Sequence, residues 1–135
     1  MIRHYFRKLR KSERGAAMVE FAIIAMLFFA LIFGIIEFGW IFNGYITLTS
    51  AAQEGARLAI VTNIDDLDKE AIRKRVRNHA MIFKPGNLDI EVNLGEAIGE
   101  ETEIIVNGKL DLLIAFPPLP QYINLSTTAT MRQEQ

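Results

Sequence analysis

Two kinds of hydrophobic patterning divide this chain. From Phe21 to Ile36 every residue is apolar or Gly, and carboxylates stand only at the flanks, Glu20 and Glu37. An unbroken run of this kind predicts a bilayer-crossing helix, because roughly 20 such residues at about 1.5 Å rise each span the hydrocarbon core. No Pro occurs before Pro85, and helix-compatible residues continue to about Val61. The pattern therefore predicts one long helix over 16–61, embedded in a membrane over about 16–46. Thr62 to Asp66 reads as a break. Beyond it, Ile64, Leu67, Ala71, Ile72, Val76 and Ala80 recur at helical spacing and give a second, amphipathic helix. Asp65 or Asp66 is placed to cap it, and Arg73, Lys74, Arg75 and Arg77 lie toward its end, as the helix dipole favours.

After the Lys84-Pro85-Gly86-Asn87 turn the period changes to two. Leu88, Ile90, Val92 and Leu94 alternate with Asp89, Glu91 and Asn93, which marks a strand with one buried face. A polar, acidic loop is expected from Gly95 to Glu101. Ile104, Val106, Gly108, Leu110, Leu112, Ile114 and Phe116 then share one parity. Asn107-Gly108 is a hairpin signal, yet a turn there would pair Val106 with Lys109 and Ile104 with Asp111. A continuous strand with a bulge or bend at Gly108 keeps the even face apolar, so that reading is preferred. Pro117-Pro118-Leu119-Pro120 ends it as a rigid connection rather than a polyproline ligand. The last strand, Tyr122 to Met131, sets Ile123, Leu125, Ala129 and Met131 on one side. The fold class is α+β: a long membrane-spanning helix, then a small head of one amphipathic helix and a roughly three-stranded antiparallel sheet over 62–135.

Charge adds a direction to this layout. The net charge of -1 conceals six Lys/Arg against one Glu in residues 1–14, and nine against thirteen acids in residues 51–135. By the positive-inside rule the amino terminus stays in the cytoplasm and the head is exported, giving a single-pass protein. There is no Cys, so disulfides and thiolate metal sites are excluded. An A-x-A-like signal-peptidase site does not follow the apolar run, and the run is long for a signal sequence.

Glu20 is the informative charge, since a carboxylate within a span costs roughly 2.5–3.5 kcal/mol on insertion scales. One reading is a headgroup-level side chain that reaches water. The other starts from its surroundings: a basic leader, Arg3 to Arg14, ends at Gly15, and Ala16-Ala17-Met18-Val19-Glu20-Phe21 follows. This arrangement resembles a type IV prepilin cleavage site. The resemblance implies a leader of residues 1–15, cutting between Gly15 and Ala16, and Glu20 as fifth residue of the mature chain. An α-amine with a reference pKa near 8 is largely cationic at neutral pH. Pairing the Ala16 amine of one subunit with Glu20 of its neighbour would neutralise both charges and fix axial register.

Small residues recur along the helix. Ala51, Gly55 and Ala59 are four apart, as are Ala52 and Ala56, and Ala30 with Gly34 offers a similar notch within the span. Such spacing lets another helix approach closely. Gly34-Ile35-Ile36-Glu37-Phe38-Gly39-Trp40, followed by Ala51-Ala52-Gln53-Glu54-Gly55-Ala56-Arg57-Leu58-Ala59, resembles the TadE-like family of tight adherence (Tad, or Flp) pilus and secretion systems. The matching stretch runs from Gly15 to about Val61, and the end of the chain, Thr-Ala-Thr-Met-Arg-Gln-Glu, resembles the family's closing strand. The resemblance implies a pilin-like minor pilin or pseudopilin of the bacterial inner membrane. It implies as partners a prepilin peptidase and other pilins of the same system. It also implies that major Flp pilins lack so large a head. Glu37 has two readings, an interfacial carboxylate beside Trp40 and Tyr45, or an inter-subunit contact to Arg57 of another chain; the aromatic neighbours favour the first.

Catalytic patterns are absent from the sequence. His4 and His79 stand apart, so neither a metal constellation nor a His-based triad can be assembled, and no phosphate loop or nucleophile elbow occurs. The acids Asp65, Asp66 and Asp68 lack the Gly-turned loop of a cation site and suit capping instead. The basic run on the second helix reads as a solvated face rather than a nucleic-acid surface. The expected protein is no enzyme, holds no cofactor, and binds neither nucleic acid nor a small-molecule substrate; it is itself a peptidase substrate. The alternative is an uncleaved, signal-anchored scaffold whose periplasmic head docks onto an envelope or secretion complex.

Overall fold

Ala, Leu, Ile, Met and Phe dominate the first helix, and nothing in it removes a backbone donor, so it propagates without interruption as α1, Glu13–Val61. A computed structural model describes residues 13–61, 68–95, 99–114 and 120–132. Residues 1–12, Asp65, Asp66, Ile64, Leu67, Phe116 and Pro117 to Leu119 lie outside the described residues. Thr47 and Thr49, poor helix formers, turn their hydroxyls back to the carbonyls of Asn43 (2.8 Å) and Tyr45 (2.9 Å).

The chain divides into two compact units, residues 1–36 and 37–135. In the first, the described residues form helix alone, and most of its large apolar side chains, among them Phe21, Ile24, Leu27, Leu31 and Ile35, are exposed, with Ile32 half-buried. A helix that is apolar all round and left largely exposed by the described residues has the surface of a membrane span. It is long and apolar enough to cross one, with a mean hydropathy of 2.7 in its most apolar window.

The second unit is an α+β head whose core includes the far half of α1. There the helix acquires a stripe, with Gly44, Leu48, Ala51, Ala52, Gly55, Ala56 and Ala59 buried. Lys69–His79 forms α2, and its buried Ile72 and Val76 are one turn apart. Ala71, expected on that face, is exposed. The cap is Asp68 rather than Asp65 or Asp66: its carboxylate accepts from the Glu70 amide at 2.9 Å. Ala80 and Phe83 carry the core on to a 3-10 turn, Pro85–Asn87.

Three antiparallel strands follow in the order β1-β2-β3: Leu88–Asn93, Glu101–Asp111 and Tyr122–Arg132. Their inner faces carry Ile90, Val92, Thr102, Ile104, Val106, Leu110, Thr127 and Ala129, all buried. The sheet's inner face shares one hydrophobic cluster with α1 and α2. Burying each of the fully enclosed Leu48, Ile72, Ile104, Val76, Leu110 and Val106 contributes about 1.5–3 kcal/mol.

The middle strand is continuous through Asn107-Gly108, as parity requires, but the expected bulge or bend is absent. Pairing runs unbroken on both sides, with Gly108 opposite Leu88 and Leu125. Gly108 has a packing reason instead: a Cβ there would lie 2.7 Å from Phe83 Cε1 and 3.2 Å from Leu48 Cδ1. The strand's limits also differ from expectation. It begins at Glu101, within the anticipated loop, and stops at Asp111 instead of reaching Phe116. It stops because the next amides turn elsewhere: Leu112 N–H donates to Gln121 O (3.0 Å), while those of Leu113 and Ile114 go to a carboxylate on α1.

Candidate functional site

The candidate positions lie along α1. In its first turns Gly15, Ala16 and Glu20 are exposed, and Ala16 and Glu20 are four residues apart on one helix face. Ala30 and Gly34 are also exposed, and a Cβ added at Gly34 meets nothing within 4 Å. That notch is open in the single chain.

The far notch is closed. A Cβ on Gly55 would stand 2.6 Å from Val76 Cγ2, 3.6 Å from Ile72 Cγ2 and 3.7 Å from Ile104 Cγ2, while Ala51 and Ala59 are buried beside it. Gly55 thus seats α2 and the sheet of the same chain. Gly44 serves the same purpose nearer the middle of the helix, where an added Cβ would lie 2.5 Å from Leu110 Cδ2.

Within the chain Glu37 binds backbone amides of the segment after β2. Its Oε1 accepts from the Leu113 amide at 3.1 Å and its Oε2 from the Ile114 amide at 2.9 Å. One turn on, Trp40 Nε1 donates to the Asp111 carbonyl at 3.0 Å. The carboxylate and indole together clip the segment after β2 onto α1. Sequence reasoning missed this clip, because the parity of Leu112 and Ile114 extends the strand pattern past its true end.

Arg57 is exposed and lies 20 residues beyond Glu37, about 30 Å along the helix, so the two cannot pair within one chain. Glu54 is instead the acid engaged by a basic side chain. Arg75 Nη2 and Nε reach its Oε1 at 2.6 and 3.2 Å. That hydrogen bond is the largest cause holding the Glu54 carboxyl below its ordinary value; burial opposes it, and the charges of Arg75, His79 and Arg57 reinforce it. Arg73 and Arg77 both pair with Glu70, so much of the basic run is tied into ion pairs on an exposed face. These exposed pairs each contribute about 0–1 kcal/mol.

On the outer sheet face a shallow groove of about 540 Å³ is lined by Asn87, Asp89, Asn107, Lys109, Asn124 and Ser126, among others. Ser126 Oγ and Asn107 Oδ1 are hydrogen-bonded within it at 2.7 Å. Among the described residues no group of three His, Asp or Glu is placed to hold a metal ion, and no buried side-chain polar atom lacks a partner.

Residues 15–57, under half of the chain, match the family described as TadE-like protein. The matched segment takes in Gly15, Glu20, Glu37, Gly55 and Arg57. No curated protein and no solved structure matches the chain.

Proposed function

With residues 15–57 a TadE-like segment, we propose that this protein is a minor pilin or pseudopilin of a Tad-type pilus or secretion apparatus, not an enzyme. The observation that carries the reading is that match, lying on a helix whose large apolar side chains are mostly exposed among the described residues. The basic leader holds the amino terminus in the cytoplasm, α1 spans the inner membrane, and the head faces the periplasm or beyond. A prepilin peptidase cuts between Gly15 and Ala16. The new Ala16 amine then pairs with Glu20 of a neighbouring pilin and sets the stagger between them.

Lipid gives helices no hydrophobic reason to associate, so close packing must supply contact energy. Since Ala51, Gly55 and Ala59 are occupied within the chain, that role falls to Ala30 and Gly34 in the span. The head determines which pilin is met.

The test is the intact mass and amino-terminal sequence of the membrane-extracted protein, produced with and without its prepilin peptidase. A mature chain starting at Ala16, formed only with the enzyme, is expected. A chain that keeps residues 1–15 beside active peptidase overturns the pilin pathway and leaves an anchored scaffold.

A further inference from the structure

Asn107 is an unfavourable residue for the place it holds. Asn is depleted in strands, yet this one lies within β2, where the hairpin that Asn107-Gly108 announces does not form. Packing against Phe83 accounts for Gly108. Asn107 is on the other face, opposite Asp89 of β1 and Ser126 of β3. A second Asn, Asn124, lies within β3 opposite Lys109. Residues that break a local rule in an otherwise consistent element mark functional positions.

All of them line the outer-face groove, whose volume of about 540 Å³ suits a small-molecule ligand. Two of its amides are already oriented. Ser126 Oγ donates to Asn107 Oδ1 at 2.7 Å, which leaves Asn107 Nδ2 as a donor. Asn87 Nδ2 donates to the Lys109 carbonyl at 3.3 Å, which leaves Asn87 Oδ1 as an acceptor. Exposed Asn124 and Asp89 add another amide and a carboxylate.

The chemistry of this lining selects among ligands. One carboxylate, Asp89, and one ammonium, Lys109, cancel, so the groove favours neither a polyanion nor a cation. Lys109 is drawn toward Tyr122, with its ammonium 5.7 Å from the ring centroid. The apolar neighbours Leu88 and Leu125 pack on the core and offer little to an apolar ligand. The floor is made of strands already paired with one another, so a peptide cannot add a strand there and side chains alone must read the ligand. A neutral ligand whose groups both donate and accept meets these conditions: each hydroxyl of a sugar can take a proton from Asn107 and give one to Asn87 or Asp89. We propose that the outer-face groove of the head binds a short neutral oligosaccharide. The site lies wholly within the head and rests neither on α1 crossing a membrane nor on the pilin reading.

The full chain, held in a detergent without a sugar headgroup, is titrated with triacetylchitotriose, maltotriose and mannotriose. Saturation-transfer NMR and the Asn side-chain amide resonances report binding. Preference for triacetylchitotriose points to an N-acetylated glycan of the cell-wall type, and preference for either hexose trimer to a surface polysaccharide. The expected result is saturation transfer to at least one sugar, with shifts of the Asn107 and Asn124 amides. Asn107→Thr and Asn124→Thr exchange the amide for a better strand former, so each should weaken binding about tenfold while the urea midpoint holds or rises. Glu103→Gln, on the same face outside the groove, should bind as the parent does. No transfer from any of the three sugars at about 10 mM, where a Kd near 1 mM would leave the site mostly filled, overturns the proposal. Undiminished binding by both Asn variants, or equal loss in Glu103→Gln, places the sugar elsewhere and overturns it as well. A urea midpoint lowered by Asn107→Thr makes the bond to Ser126 structural and removes the argument for the site.

Discussion

Gly55→Ala tests whether the far small-residue notch belongs to the chain's own core. In a helix interior the change gains about 0.8–1.0 kcal/mol, because Gly is the poorer helix former. Against this stands contact: the new methyl would lie 2.6 Å from Val76 Cγ2, where something must move. Val76 is fully buried and stiff at χ1, so it cannot swing aside without disturbing Ile72 or Ile104. Overpacking of this order costs about 1–3 kcal/mol. The net effect is therefore a destabilisation between about 0 and 2 kcal/mol. The sharper quantity is its dependence on Val76. In a Val76→Ala background the obstruction is gone, and Gly55→Ala should stabilise, by the helix term plus whatever cavity the methyl fills. Urea unfolding of the full chain in detergent micelles reads both, since Trp40 is the only Trp and its indole is bonded within the head. If Gly55→Ala shifts the midpoint equally in the two backgrounds, within about 0.3–0.5 kcal/mol, the two residues do not touch. The notch would then be free for another subunit.

Two further outcomes are expected. Glu20→Ala should leave insertion and peptidase cleavage intact while reducing co-purification with other pilins, as read by quantitative pull-down from detergent extracts; undiminished recovery contradicts a register role. The Glu54 carboxyl is held low by the Arg75 hydrogen bond, so its contribution is present above its ordinary value of 4.5 and lost as pH falls through the folded value. Glu54→Gln should accordingly flatten the fall in urea midpoint on acidification below 4.5, and an unchanged pH profile would remove the pair from the account.

The long first helix was legible because an apolar run without Pro has nothing to interrupt it, and the strands because their period of two survived even across Asn107-Gly108. That Gly misled in one respect: the sequence could not show the Phe83 ring filling its missing side chain, so a bulge was the natural explanation. The helix cap shifted to Asp68 because Asp65, Asp66 and Asp68 offer equivalent side chains to a helix start, and only packing chooses among them. Glu37 was unreadable for a different reason. Its partners are backbone amides 76 and 77 residues away, and a main-chain donor leaves no mark in the sequence. The same holds for Gly55, where spacing announces a close approach without saying what approaches.

The continuity of α1 through the 36/37 division decides where this protein could be cut and rejoined. Leu48, Ala51, Ala52, Ala56 and Ala59 form one wall of the head's core, so a fragment starting after Val61 would arrive with Ile104, Val106 and Leu110 uncovered. The head is therefore no cassette that can be grafted onto the end of any helix. A chimera that exchanged the first unit would have to be spliced in the middle of a helix, between Ile36 and Glu37, where the uncharged run ends.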